Sequence, residues 1–250
     1  MNLTYFLDHY PGKHKLVAHD EMLQMAARGH HINIVAFHGE KSINLPFFVY
    51  YLQNKISYGG LIKLLLCRPV KSMKHLFLLK KHMGYREAIK FFSQYHELGF
   101  PDHVHAHFAN QAALKGMLFS KYHNIPFSCT GHGSDLLLYP KDYLPDLIKN
   151  SSPFITISNY NQKYLAEKYK LDTSGIKINY CGVDVDYYKA FSESQPDIFT
   201  ITSVTALKPV KGVEYLVEAC RLLNTQKIDF ICHIIGGGPD CEKIQARIND

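Results

Sequence analysis

The chain has no Cys-x-x-Cys pair, because its six cysteines (Cys67, Cys129, Cys181, Cys220, Cys232 and Cys241) stand far apart. With no secretory leader read at the N-terminus, this spacing predicts reduced thiols in a cytoplasmic protein. No apolar run approaches the roughly 20 residues that cross a bilayer, so a membrane-spanning helix is excluded. Acidic residues are nearly missing from one stretch: between Lys55 and Lys90 nine basic residues face only Glu87. That stretch accounts for the net charge of +6. Because Leu61-Ile62, Leu64-Leu65-Leu66 and Leu76-Phe77-Leu78-Leu79 interleave with the charges, residues 55–90 read in two ways. They resemble basic amphipathic helices lying on an anionic membrane, or a pair of surface helices with solvated lysines. A nucleic-acid partner is set aside, since the sequence carries no recognisable binding module.

The rest of the chain is globular, with 46% hydrophobic residues over 250 positions, enough for one large domain or about two ordinary ones. Apolar β-branched runs alternate with helical patterns. Strands are predicted over residues 2–7, 31–37, 103–108, 126–130, 154–157 and 176–180, with helices over 17–28, 111–122 and 159–169. Strands separated by helices imply a parallel sheet with right-handed crossovers, hence a doubly wound α/β domain over residues 1–188. The polar run YKAFSESQPD marks a linker, assigned to 189–197. Beyond it a second βαβ unit, 198–250, has strands at 199–204 and 230–235 around a helix at 213–223. Two strands leave a sheet uncovered, so this second domain is expected to be cut short.

Chemistry concentrates at strand ends. HVHAHF places His103, His105 and His107 on one face of a strand, but three ligands spread over five residues span roughly 13 Å, too far for one ion. The residues read instead as hydrogen-bonded structural histidines at 103 and 105, with His107 facing a cleft at the carboxyl end. In open α/β sheets ligands sit beyond those ends. The rule gathers the loops at 8–15, 108–111, 131–135 and 158–161, which include Gly12, His132, Asp135, Ser158 and Asn161, with His107 at the strand end that leads into the second. Glycines, imidazoles, hydroxyls and amides together suit a polyhydroxylated ligand carrying phosphate.

The segments PFSCTGHGSDL, FITISNYNQKYL and IKINYCGVD, followed by ITSVTALKPVKGVEYLVEACRLL and IDFICHIIGGGP, resemble the retaining group 1 glycosyltransferases. HAHF and YPGKHK fall where that family has strand ends facing its cleft. The likeness covers roughly residues 100–250 and, more loosely, 1–40. It implies the GT-B fold of two Rossmann-like domains and transfer of a sugar, with retention and without a metal, from a nucleotide-diphosphate sugar to a glycan or lipid-linked acceptor. No other cofactor is implied, and the setting would be the cytoplasmic face of the membrane, as in cell-envelope or exopolysaccharide synthesis. By the same resemblance His132 and Asp135 would line the sugar and acceptor side as the catalytic pair. Gly12 would lie near the donor phosphates, Lys211 would pair with the diphosphate, and Gly236, Gly237 and Gly238 would form the turn near the nucleotide.

Two departures stand out. Thr205-Ala206-Leu207 replaces the family's Gly-Arg before leucine, removing an expected diphosphate-binding arginine. The family's pair of glutamates separated by seven residues lies further along its second domain, so sugar transfer by this chain alone is not expected. Asp184-Val185-Asp186 spells a metal-binding Asp-x-Asp, but it belongs to the exit toward the linker and reads as structural. Two alternatives remain open: a non-catalytic remnant or partner subunit, and a zinc hydrolase using His103, His105 and His132.

Overall fold

The computed structural model describes residues 1–11, 17–39, 46–183, 185, 186, 188 and 197–249. Two compact units divide the chain, Met1–Val183 and Asp184–Asp250. The first runs β1 (Asn2–His9), α1 (Val17–Ala27), β2 (His31–His38), β3 (Phe48–Tyr51), α2 (Tyr58–Cys67), α3 (Pro69–Met83), α4 (Tyr85–Ser93), β4 (His103–His107), α5 (Gln111–His123), β5 (Phe127–Gly131), α6 (Leu144–Asn150), β6 (Phe154–Thr156), α7 (Asn159–Tyr169) and β7 (Ile176–Ile178). Its seven strands are all parallel, in the order β3-β2-β1-β4-β5-β6-β7. The chain therefore winds outward from β1, returns beside it as β4, and winds the other way. This is the doubly wound α/β topology expected from the sequence, with its switch point between β1 and β4.

Strand periodicity decides what each sheet face carries. Phe6, Val104, Ala106 and Cys129 point into the large core built with α5 and with Phe91 and Phe92 of α4. Leu3, Tyr5 and Leu7 point the other way, against Ala18 and Met22 of α1. The register places Tyr5 beside His105 and His105 beside Ser128. Since alternate residues share a face, a polar layer crosses the sheet at the switch point. Helix α5 is the spine of the unit. Asn110 caps it by accepting from the amides of Ala112 and Ala113, and it ends at Asn124 in the left-handed conformation (φ 59°). It lies close on the sheet because Gly116 has no side chain: a Cβ there would sit 3.1 Å from the Phe6 ring. Burial of Leu114, Leu118 and Phe119 contributes roughly 1.5–3 kcal/mol apiece.

Residues 55–90 correct the sequence reading. They form three helices rather than a surface pair, because Gly84, at φ 78°, breaks α3 from α4. These helices also bury a face: Leu64, Ser72, His75, Leu79, Phe91 and Phe92 are inside. Ser72 donates to the carbonyl of Leu64 at 2.8 Å, and His75 Nε2 meets the Tyr95 hydroxyl at 3.0 Å. Burial pushes the His75 imidazole down to about 3, helped by His123 and nearby lysines.

The second unit runs β8 (Phe199–Val204), α8 (Val213–Thr225), β9 (Phe230–Ile235) and α9 (Cys241–Asn249), with β8 and β9 parallel. Its buried core is Leu207, Val213 and Ile244, while Phe199, Val204 and Ile235 stand exposed on the two strands. That is the open sheet anticipated for a two-stranded unit. Among the described residues, no helix is long and apolar enough to cross a membrane.

Candidate functional site

At the carboxyl ends of β4 and β5 five of the sequence-derived residues join one hydrogen-bonded network. His107, only 2% exposed, contacts His132 through Nδ1 to Nε2 at 3.0 Å. The carbonyl of His132 accepts from Asn161 Nδ2 at 2.7 Å, and the Asn161 amide donates to Ser158 Oγ at 3.1 Å. Ser158 is thereby the N-cap of α7. Asp135 fastens the two loops together. Its carboxylate accepts from the amides of Ala109 at 2.7 Å, Gly133 at 2.9 Å and His132 at 3.1 Å. Saturated by backbone donors, this buried carboxylate, expected as a catalytic group, positions the strand ends. His107 differs from its sequence reading too, being buried against His132 rather than facing an open cleft.

Phe108 completes the turn. It adopts φ 67°, sparsely populated for a bulky residue, and its ring lies 4.3 Å from that of His132. Strain of this kind costs on the order of 1–3 kcal/mol and persists where the surroundings over-determine it. Here the Phe108 amide donates to Thr130 at 2.8 Å and its carbonyl accepts from Asn110 at 2.8 Å.

Behind this network lies a residue that sequence reading missed. Glu21, on α1, sits 3.4 Å from His107 Nε2 and 4.0 Å from His105 Nε2, and accepts from the Tyr5 hydroxyl at 3.1 Å. Burial raises its carboxyl, but the hydrogen bond and charge of His107, with His105 and Tyr5, outweigh burial and hold it at about 2. Burial pushes His105 down to about 3, with His107 adding to it and Glu21 opposing. His132 goes down to about 4, chiefly by burial and then by His107. His103 and His105 both reach Ser128 Oγ at 2.7 Å, the hydrogen-bonded structural role expected of them. Glu21, His105 and His107 carry ligand atoms within 4.8 Å of one another and could hold a metal ion. Among the described residues, the hydrolase set of His103, His105 and His132 is not such a group.

In the second unit the candidate groups are mostly backbone. Lys211 ends a short helical turn, Pro209–Lys211, and its side chain is exposed. Gly212 follows at φ 63° and starts α8 with no side-chain cap. Gly236 and Gly238 are required by close approach: a Cβ on Gly236 would lie 1.8 Å from the Thr205 carbonyl oxygen, and one on Gly238 2.3 Å from that of Leu207. Gly237 meets nothing, but its carbonyl accepts from Leu207 at 2.9 Å. The turn after β9 thus laces onto the segment after β8, where Ala206 is exposed. Gly12 and Asp184 lie outside the described residues, as does the linker apart from Asp197.

A doubly wound parallel unit with polar groups at its switch point, followed by a second parallel βαβ unit, defines an α/β protein of the GT-B class. The chain belongs to glycosyltransferase family 4, whose model matches residues 16–187; residues 185–250 match glycosyl transferases group 1. A curated relative, an uncharacterized glycosyltransferase (MJ1178) of Methanocaldococcus jannaschii, is 28% identical over 149 residues, covering 58% of this chain and 39% of that protein. The chain thus spans about two fifths of that relative. Among solved structures, TarM aligns over 100% of this chain and 74% of its own, at 9% identity and a TM-score of 0.64. Anabaena Alr3699/HepE, solved with UDP and glucose, aligns over 100% of this chain and 66% of its own, at 16% identity and a TM-score of 0.60. These likenesses show the fold.

Proposed function

We propose that this chain is the acceptor-side domain and the beginning of the donor-side domain of a glycosyltransferase. Its reaction would move a sugar from a nucleotide-diphosphate donor to a hydroxyl of a glycan or lipid-linked acceptor, with retention at the anomeric carbon. The observation that carries this reading is the pairing of His107 with His132 on loops clamped by Asp135 at the switch point, within a chain of glycosyltransferase family 4. The His132 imidazole, held low by burial and by His107, is neutral near pH 7 and offers a hydrogen bond to a sugar hydroxyl without the desolvation cost of a buried charge. In the second unit Lys211 and the uncapped start of α8 suit a diphosphate: a cation and unpaired amides oppose the charge that grows on the leaving group. We read the chemistry as metal-independent on that basis, with Ser158 and Asn161 as positioning residues.

Calorimetric titration of the protein with UDP-, GDP- and ADP-linked hexoses tests the reading. One donor should bind, and binding should weaken roughly 10- to 100-fold in Lys211→Ala, the scale of a lost charge-assisted hydrogen bond. Transfer to acceptor should fall in His132→Ala. No binding to any nucleotide sugar would overturn the proposal.

Ala206, where the resemblance expects arginine, favours a second reading, that of a subunit or remnant that holds a ligand without transferring it. Donor binding without nucleoside diphosphate release distinguishes it.

A further inference from the structure

Helices α2 and α3 each have two apolar faces, and only one is used by the core. In α3 the buried residues Ser72, His75 and Leu79 lie on one side. At roughly 100° per residue, Val70, Met73 and Phe77 fall within about 60° of each other on the opposite side. They are 67%, 48% and 64% exposed. Helix α2 repeats the arrangement: Gly60 and Leu64 are buried, whereas Tyr58, Ile62 and Leu66, spaced four apart, are 71%, 57% and 77% exposed. Six large apolar side chains in 20 residues therefore face water on two successive helices. Scattered exposed apolar residues need no explanation, but a stripe of them marks an interaction surface.

Charge identifies the partner. From Tyr58 to Arg86 there are seven lysines and arginines and no acid. Lys63, Arg68, Lys74 and Lys81 are exposed beside the apolar stripe, and none makes an ion pair among the described residues. An obligate protein interface buries apolar surface and draws charge away from its centre, whereas an apolar stripe flanked by unpaired cations matches a headgroup region over acyl chains. We propose that the exposed face of α2 and α3 docks on an anionic lipid bilayer, with Leu66 and Phe77 inserted and the lysines at headgroup level. Docking of this kind leaves the buried faces of the same helices undisturbed in the core, and it does not depend on which sugar, if any, the protein transfers.

The test is flotation of the full chain with phosphatidylcholine vesicles, with and without phosphatidylglycerol. Binding should require the anionic lipid and fall with added salt. Leu66→Glu with Phe77→Glu should abolish it, with the melting temperature unchanged because both side chains are exposed. Should that variant misfold, Lys63→Ala, Lys74→Ala and Lys81→Ala together provide the second measurement, with partition falling on the order of 100-fold at roughly five-fold per charge. Absence of flotation overturns the proposal, as does flotation that both variants leave intact. Equal binding to neutral vesicles overturns it too. So does a concentration-dependent dimer, or duplex DNA binding, that is lost in Leu66→Glu with Phe77→Glu while flotation is not.

Discussion

The two units place their candidate groups in opposite ways. In the first, His107, His132 and Asp135 are each less than one tenth exposed and bonded to one another or to backbone amides. The two helices that start at this network are capped by side chains, α5 by Asn110 and α7 by Ser158. In the second, Lys211 is exposed with no side-chain partner among the described residues, and α8 starts without a side-chain cap. Buried polar groups need fixed partners, so the first site is inseparable from the stability of its unit. An exposed cation needs no such partner, so Lys211 can change without its fold, whereas Gly236 and Gly238 are bound to theirs by close backbone approach.

The largest effect that separates them is Asp135→Ala. Removing the carboxylate strands three amides, those of Ala109 and His132 buried and that of Gly133 partly so, at about 1–3 kcal/mol for each buried one left unsatisfied, so a loss of about 3–5 kcal/mol is expected in the urea unfolding free energy of the first unit. Asp135→Asn, which keeps one oxygen as acceptor, should recover part of it. A loss below about 1 kcal/mol would mean the loops close without Asp135, and the contrast between the units would collapse.

Next comes Gly236→Ala. A Cβ 1.8 Å from the Thr205 oxygen must push the two loops apart, and we expect about 2–3 kcal/mol lost from the second unit alone, by the scale of backbone strain. Hydrogen exchange should speed up in β8 and β9 and remain unchanged in β1 and β4. Gly237→Ala, with nothing near its Cβ, should leave both untouched.

Much of this was legible in the sequence and some was not. The boundaries of α7, β8 and β9 follow from Ser158 as a cap and from short β-branched runs ending in glycine or turn residues. Strand β3, only FVYY, and helix α6, only LPDLIKN, are too short to show a period. The nine basic residues of 55–90 drew attention to a solvated surface and concealed that Leu64, Leu79, Phe91 and Phe92 are core. Glu21 was invisible for a topological reason: more than 80 residues separate it from His105 and His107, and only the return of β4 beside β1 brings α1 over them. Asp135 stands out in the sequence, but its partners are backbone amides, which no side-chain pattern reveals.

Acid should sharpen the comparison further. His105 and His132 sit near 3 and 4 in the folded protein against an ordinary value of 6.5. The unfolded chain therefore takes up protons first as pH falls, and stability must drop between about 6.5 and 4. Each such histidine costs up to about 1.4 kcal/mol per pH step. Glu21, held at about 2 against 4.5, adds stability that is present above 4.5 and lost below it, in the same direction. The second unit has one histidine, His233, which is exposed. Urea midpoints at pH 7, 5.5 and 4 should therefore fall for the first unit and hold for the second; parallel loss in both would contradict the assignment to buried imidazoles.

The smallest expected effect on stability is the most informative about function. Lys211 touches no acid and caps no carbonyl among the described residues, so Lys211→Ala should shift unfolding by less than about 0.5 kcal/mol. A lysine kept for folding would show more, because its loss would leave a partner unpaired. If the variant is as stable as the parent and still loses donor affinity, the cation acts on ligand alone, as the division between the units requires. If stability falls with affinity, Lys211 has a structural partner, and the second unit, like the first, would hold its site as part of its fold.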